Sequence, residues 1–141
     1  MSAQIAVTAQ EIQAVLLQTP FAKIYNIALA SLDDGECALR IPFSKATERP
    51  GGIVAGPVYM AAADVAMWFA IMTKLGANVP TVTTELNSTF LSSARQEEIV
   101  AKARVLKLGK NQIFGVAECR TLDGKLLTHH TLTYVKVTPA P

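Results

Sequence analysis

The run Gly56-Pro57-Val58-Tyr59-Met60-Ala61-Ala62-Ala63-Asp64-Val65-Ala66-Met67-Trp68-Phe69-Ala70-Ile71-Met72 has seventeen residues and one charged side chain, Asp64, at its middle. It opens as a helix should, because proline fits the first helical position, where its missing N–H is no loss and its φ is already suitable. Gly76, just after Lys74, marks the end. Stepping three and four residues along, Asp64 shares a face with Pro57, Met60, Ala61, Met67, Trp68 and Ile71, while Val58, Ala62, Ala66, Phe69 and Ala70 fill the rest of the circumference. A helix apolar all round is a buried one. A membrane span fits less well: the run is shorter than the roughly 20 residues required, is rich in alanine and carries an acid at its centre. A carboxylate is costly to bury, so Asp64 is a candidate for a chemical role.

Around this helix, 141 residues suffice for one domain with a real core, and half of them are hydrophobic. The net charge is +2, with Lys and Arg dispersed, so no basic stripe invites nucleic acid. The N-terminus lacks the charged and apolar regions of a secretory signal, and the two cysteines, Cys37 and Cys119, are too few for a disulfide framework or a zinc site. A cytoplasmic protein with reduced thiols and no membrane partner is expected.

Thr8 and Glu11 have capping-box spacing, which predicts a short helix over residues 9–17 that stops before Pro20. Residues 23–31 and 36–43 flank the turn signal Asp33-Asp34-Gly35 and read as a first pair of strands. Four β-rich segments follow the central helix, at about 82–91, 97–108, 111–121 and 125–137. Ile99, Ala101, Ala103 and Val105 alternate with Lys102 and Arg104, and Ile113, Gly115, Ala117 and Cys119 alternate with Phe114, Val116, Glu118 and Arg120. Short turns at Gly109-Lys110-Asn111 and Asp123-Gly124 make the last strands an antiparallel meander. The order β-β-helix-β-β-β-β implies an α+β fold, a curved antiparallel sheet wrapped round one long helix.

Three segments together carry a family likeness. They are Arg49-Pro50-Gly51-Gly52-Ile53-Val54-Ala55-Gly56-Pro57, then Met60, Ala63, Asp64, Ala66 and Met67, then Thr83-Thr84-Glu85-Leu86-Asn87-Ser88-Thr89-Phe90-Leu91. The chain resembles the hotdog-fold acyl-CoA thioesterases of the PaaI (phenylacetate-pathway) type over residues 20–137, with residues 1–19 as an N-terminal helical segment of a single domain, 1–141. In that family a His-Gly-Gly turn opens the central helix, its first Gly offers a backbone N–H to the thioester oxygen, and an acid nine residues after the His acts on the substrate. The resemblance therefore puts the acid at Asp64 and the N–H donor at Gly56. The His position holds Ala55 and the second Gly is Pro57, a variant turn. A loop Asn of some members is replaced by about Arg49, and Thr83 stands where a Ser or Thr helps orient water. The resemblance implies an acyl-CoA substrate, a homo-oligomer, and no metal or redox cofactor.

The physical chemistry agrees with these roles. The free N–H groups and positive dipole end of a helix N-terminus suit an oxygen gaining negative charge, and Gly56 lets an acyl group approach the backbone. Gly56 and Asp64 lie about 12 Å apart along one helix at ~1.5 Å per residue, whereas a reacting carbonyl needs both within about 3–4 Å. Gly56 of one subunit is therefore expected to work with Asp64 of another across a two-fold interface. Asp64 would act as general base toward a water held also by Thr83 or Thr84, with direct attack through an anhydride the lesser option. The plain alternative is an acid that only accepts hydrogen bonds at an interface.

Met60 and Trp68 could line an acyl pocket, although methionine and aromatics on a buried helix are commonly core, and Phe69 is read as core. Asn87, taken to point the same way as Thr83 and Glu85, could support the site. His129 and His130 face opposite ways from one strand and are read as structural or surface groups. Arg95, Lys107, Lys110 and Arg120 could meet CoA phosphates, but scattered surface cations are usually only solvated. The reading that follows is an acyl-CoA thioesterase for a short- or medium-chain or aromatic acyl group. A non-catalytic acyl-CoA-binding hotdog is the main alternative, and a hydratase is less favoured because no His lies near the helix start.

Overall fold

The computed structural model describes residues 4–138, so the first three and last three residues of the expected 1–141 domain lie outside it. The elements in chain order are α1 (Ala9–Leu17), α2 (Pro20–Ile24), β1 (Ala28–Asp33), β2 (Glu36–Ile41), β3 (Glu48–Arg49), β4 (Ile53–Val54), α3 (Gly56–Leu75), β5 (Thr81–Phe90), β6 (Ile99–Leu108), β7 (Gln112–Thr121) and β8 (Leu126–Lys136). Six strands form one antiparallel sheet in the order β1-β2-β6-β7-β8-β5, and β3 pairs with β4 as a separate small ribbon. The expected meander is β6-β7-β8. β5 crosses from the end of α3 to pair with β8, which leaves it at an edge.

The capping box at α1 is present in both directions: the Thr8 Oγ1 accepts from Glu11 N–H at 3.1 Å, and Thr8 N–H donates to Glu11 Oε1 at 3.1 Å. The expected strand over 23–31 is wrong in its first half, because Pro20 starts the five-residue helix α2 and β1 begins only at Ala28. Pro20 pre-sets a helical φ at the helix start, and Asn26 at φ 55° then breaks the chain into the strand.

α3 is the centre of the core. Ala62, Ala66, Phe69 and Ala70 are fully buried against the sheet, whose inward residues include Leu39, Ile99, Ala101, Ala103, Leu127 and Leu132. The approach is closest at Gly115 on β7, where an added Cβ would lie 2.3 Å from Met67 Cε and 2.5 Å from the Arg104 carbonyl. Only glycine lets the helix lie this near the strand. At the far end Thr73 Oγ1 accepts from Gly35 N–H at 2.9 Å and Lys74 pairs with Asp34 at 2.8 Å, tying the β1–β2 turn to the last turn of α3.

Two expectations about α3 need correction. The helix has 20 residues rather than fewer, long enough for a membrane, yet about two thirds of its apolar window is covered by the protein's own core. It is also not buried on every side. Pro57, Met60, Ala61, Asp64 and Trp68 form a stripe that the single chain leaves exposed or half-buried, because the sheet wraps the remaining faces only.

Candidate functional site

The open stripe of α3 runs beside the inner face of β5. In β8, the partner of β5, Thr128, His130, Leu132 and Tyr134 all point inward and are buried, so their opposite numbers on β5 also face α3. Thr83 lies opposite Tyr134, and both reach Asp64. Thr83 Oγ1 donates to Asp64 Oδ1 at 2.8 Å, and the Tyr134 hydroxyl lies 2.6 Å from the same Oδ1 and 2.8 Å from the Asp64 main-chain carbonyl. The side-chain hydrogen bonds to this carboxylate thus fall on Oδ1, and Oδ2 has no protein partner among the described residues. Burial, with the neighbouring Asp64 charge next, raises the Tyr134 hydroxyl well above the ordinary tyrosine value, so it stays a protonated donor at any working pH.

Asp64 and Thr83 open onto a cleft of about 270 Å³ that is lined also by Phe21, Trp68 and Val82. Trp68 is therefore at the cleft, stacked at a tilt on Phe69 with ring centroids 5.2 Å apart, while Phe69 itself is core. Met60 lies on the same helix stripe one turn toward the N-terminus and is 36% exposed.

Two residues of β5 depart from expectation. Thr83 pairs with Tyr134 and Glu85 with Thr133, so Thr84 is the extra residue of a β-bulge. Its hydroxyl donates to the Thr133 carbonyl at 3.2 Å and not to Asp64. The bulge shifts the alternation by one, which turns Glu85 and Asn87 to the outer face, where Asn87 Nδ2 donates to Glu85 Oε1 at 2.6 Å. The reading that Asn87 points the same way as Thr83 is wrong for this reason.

At the start of α3, Ala55 is the N-cap, Gly56 the first helical residue and Pro57 the second. Ala55 N–H donates to Thr47 O at 2.8 Å and Val58 N–H to Ala55 O at 3.0 Å, and Pro57 has none to give. Among the described residues the Gly56 N–H has no acceptor, which makes it the open donor of this helix end. A Cβ on Gly56 would meet the Phe90 ring at an ordinary 3.5 Å, so its own chain does not crowd this position. Arg49 ends β3 with its side chain exposed, and Arg95 Nη1 donates to the Gly51 carbonyl at 2.8 Å, which places both arginines at the β3–β4 turn ahead of the helix. Arg120, by contrast, is paired with Glu118 at 2.8 Å.

His130 is fully buried, its Nδ1 2.7 Å from Ser88 Oγ and its Nε2 2.8 Å from Thr128 Oγ1, whereas His129 lies at the surface 3.7 Å from Glu118. Both agree with the structural reading. Burial first, and the nearby His129 second, pull the His130 pKa from about 6.5 down to about 4. Between these values the unfolded imidazole takes up a proton that the folded one refuses, so stability is full above about pH 6.5 and is lost as pH falls toward 4. Between pH 7 and pH 4.5 the loss is expected to be about 2 kcal/mol, from ~1.4 kcal/mol per pKa unit. Urea unfolding at pH 7 and pH 4.5 measures it, and a His130→Leu variant with the same pH slope as wild type would refute the assignment.

The missed member of the site is Tyr134. Its signal was present in the period-two run Thr128, His130, Leu132, Tyr134, because an inward tyrosine needs a partner for its hydroxyl. For the thioester hydrolysis that the resemblance implies, Tyr134→Phe is expected to lower kcat by about 10- to 100-fold, the worth of one hydrogen bond to a charged group, with KM changed less than threefold. Steady-state kinetics separate the two, and an equal rise in KM would place Tyr134 in substrate binding instead.

Comparison with known proteins agrees with this architecture. Residues 51–128 match the model of the thioesterase superfamily. A protein of Saccharolobus solfataricus assigned to the esterases is 29% identical over 104 residues, 74% of each chain. Among solved structures, a thioesterase from Haemophilus influenzae superposes with a TM-score of 0.87 at 20% identity, covering 98% of this chain and 96% of its own. The PaaI protein of the Escherichia coli phenylacetic acid degradation operon superposes with a TM-score of 0.82 at 17% identity over 93% and 94% of the two chains. These structural likenesses show the fold, and the family match reaches from the turn before α3 into β8. The chain accordingly belongs to the thioesterase superfamily and is a thioester hydrolase of the hotdog fold.

Proposed function

We propose that this protein hydrolyses acyl-CoA thioesters with a short- or medium-chain or aromatic acyl group, at sites shared between two copies of the chain. The observation that carries the reading is the fixed Asp64 carboxylate, with Thr83 and Tyr134 on Oδ1 and Oδ2 left without a protein partner at the mouth of a cleft. Asp64 takes a proton from a water as that water attacks the thioester carbon. The developing oxyanion is met by the Gly56 N–H of the partner subunit, the carbon–sulfur bond breaks, and the CoA thiolate leaves. Direct attack by Asp64 to form an anhydride is the lesser route. Ala55, Pro57 and Met60 line the approach to the helix end, and Arg49 stands at the turn where CoA phosphates would lie. The reading places the protein in the cytoplasm with its substrate.

The two-copy arrangement has its own support. β5 is an edge strand of ten residues without Pro or Lys, and Val82, Phe90 and Leu91 beside it are 47%, 51% and 54% exposed. Such an edge invites pairing with another chain. Antiparallel pairing of two β5 strands would also cover the open stripe of α3 and carry Gly56 of one copy toward Asp64 of the other.

The test is thiol release from butanoyl-, octanoyl-, palmitoyl- and phenylacetyl-CoA by purified protein, together with sedimentation. Turnover of the short, medium or aromatic esters by an oligomer is expected. No release from any ester, or a stable monomer at micromolar concentration, would overturn the proposal.

A further inference from the structure

Phe21 is not explained by the fold. It is the second residue of α2, its ring is 43% exposed, and it takes part in neither of the aromatic pairs found among the described residues, Tyr59 with Phe90 and Trp68 with Phe69. α2 itself is firmly braced. Ala22 is buried, its N–H donates to Thr19 O at 3.1 Å, its carbonyl accepts from Ile27 N–H at 2.9 Å, and Thr19 Oγ1 donates to Val15 O at 2.8 Å. A short helix held at both ends thus presents a large apolar ring that its own core does not use.

That ring faces the Asp64 cleft. Phe21, Trp68 and Val82 line it together with Asp64, Thr83 and Tyr134. The lining combines what a thioester requires, polar groups for the reacting carbonyl and apolar surface for the chain attached to it. The cleft is small, about 270 Å³ within one chain, and Phe21 forms part of its border.

We infer that Phe21 is a specificity-determining residue, the wall that limits the acyl group at the Asp64 site to a compact chain or a single ring. The inference rests on the proposed acyl-CoA reading of that site and adds to it the residue that sets the size limit. Phe21 is drawn from the segment ahead of β1, outside residues 51–128 that match the family model. Removing the ring frees the space of about six carbon atoms.

The experiment compares wild type, Phe21→Ala and Phe21→Trp on hexanoyl-, octanoyl-, dodecanoyl- and palmitoyl-CoA. It reads kcat/KM and, in parallel, the Kd of the non-hydrolysable thioether analogues of the same chain lengths. Phe21→Ala is expected to raise the dodecanoyl-to-hexanoyl ratio at least about tenfold in both readouts, and Phe21→Trp to lower it. Ratios within about twofold of wild type in both variants would overturn the inference. If wild type releases no thiol, the hydrolytic reading fails, and the Kd ratios still decide for or against Phe21. If Phe21→Ala loses its fold, Phe21→Trp decides alone, since it fills space instead of emptying it.

Discussion

Asp64→Asn is expected to lower kcat/KM for thioester hydrolysis by about a thousandfold, within the range that loss of a general base produces. Asparagine keeps the planar shape, and its oxygen still accepts from Thr83 and Tyr134, where Asp64 Oδ1 now accepts at 2.8 and 2.6 Å. What it loses is the unpartnered carboxylate oxygen that can take a proton. The variant should therefore bind thioether analogues with a Kd within about threefold of wild type and unfold at a similar urea concentration, so that the fall appears in kcat. Thiol release under single-turnover conditions is the decisive measurement. Retention of more than about a tenth of the wild-type rate would remove Asp64 from the chemistry and leave it as an interface hydrogen-bond acceptor. Accumulation of an acyl-enzyme in the wild type would instead favour the anhydride route.

The centre of this fold was legible in the sequence because its signals are local. A seventeen-residue apolar run closed by Gly76, strict alternation over Ile99–Val105 and Ile113–Cys119, and two glycine-containing turns each state their own structure without reference to the rest of the chain. The resemblance put Thr83 at the Asp64 site as a holder of water, and in the structure its hydroxyl donates to Asp64 Oδ1 itself. Three features were not legible, each for a physical reason. α2 has only five residues, fewer than two turns, so no periodicity can announce it. The Thr84 bulge depends on how β5 meets β8, and a strand cannot show by itself where its alternation slips. Tyr134 reaches Asp64 across a separation of 70 residues, a contact made only when β8 packs beside α3 in the folded sheet. The missed features all bear on the Asp64 cleft: α2 supplies Phe21, the bulge sets which threonine faces the acid, and Tyr134 holds it. The core followed from pattern, and the detailed walls of the site from tertiary structure.

Mixing two inactive variants is expected to restore activity, and this is the sharpest consequence of placing Gly56 and Asp64 on one helix about 12 Å apart. Gly56→Pro removes the open N–H of Gly56 at the α3 start while leaving a residue that helix N-termini accept, and it should lower the rate at least about a hundredfold, the worth of one oxyanion donor. Asp64→Asn is inactive for the independent reason given above. In a shared site, a dimer containing one copy of each variant has one site with both defects and one with neither. Random exchange makes about half of all dimers mixed, so an equal mixture should recover about one quarter of wild-type activity after unfolding and refolding together. Separately refolded proteins combined without exchange should recover almost nothing. If a single chain supplied both groups, every site in the mixture would carry one defect, and co-refolding would yield no more than the average of the two parents. The contrast between one quarter and near zero is larger than any error in the assumed exchange. It also tests the edge-to-edge role of β5, because a charge placed at the apolar end of that edge and away from the Asp64 cleft, such as Leu91→Lys, should reduce the recovered fraction in proportion to the loss of dimer.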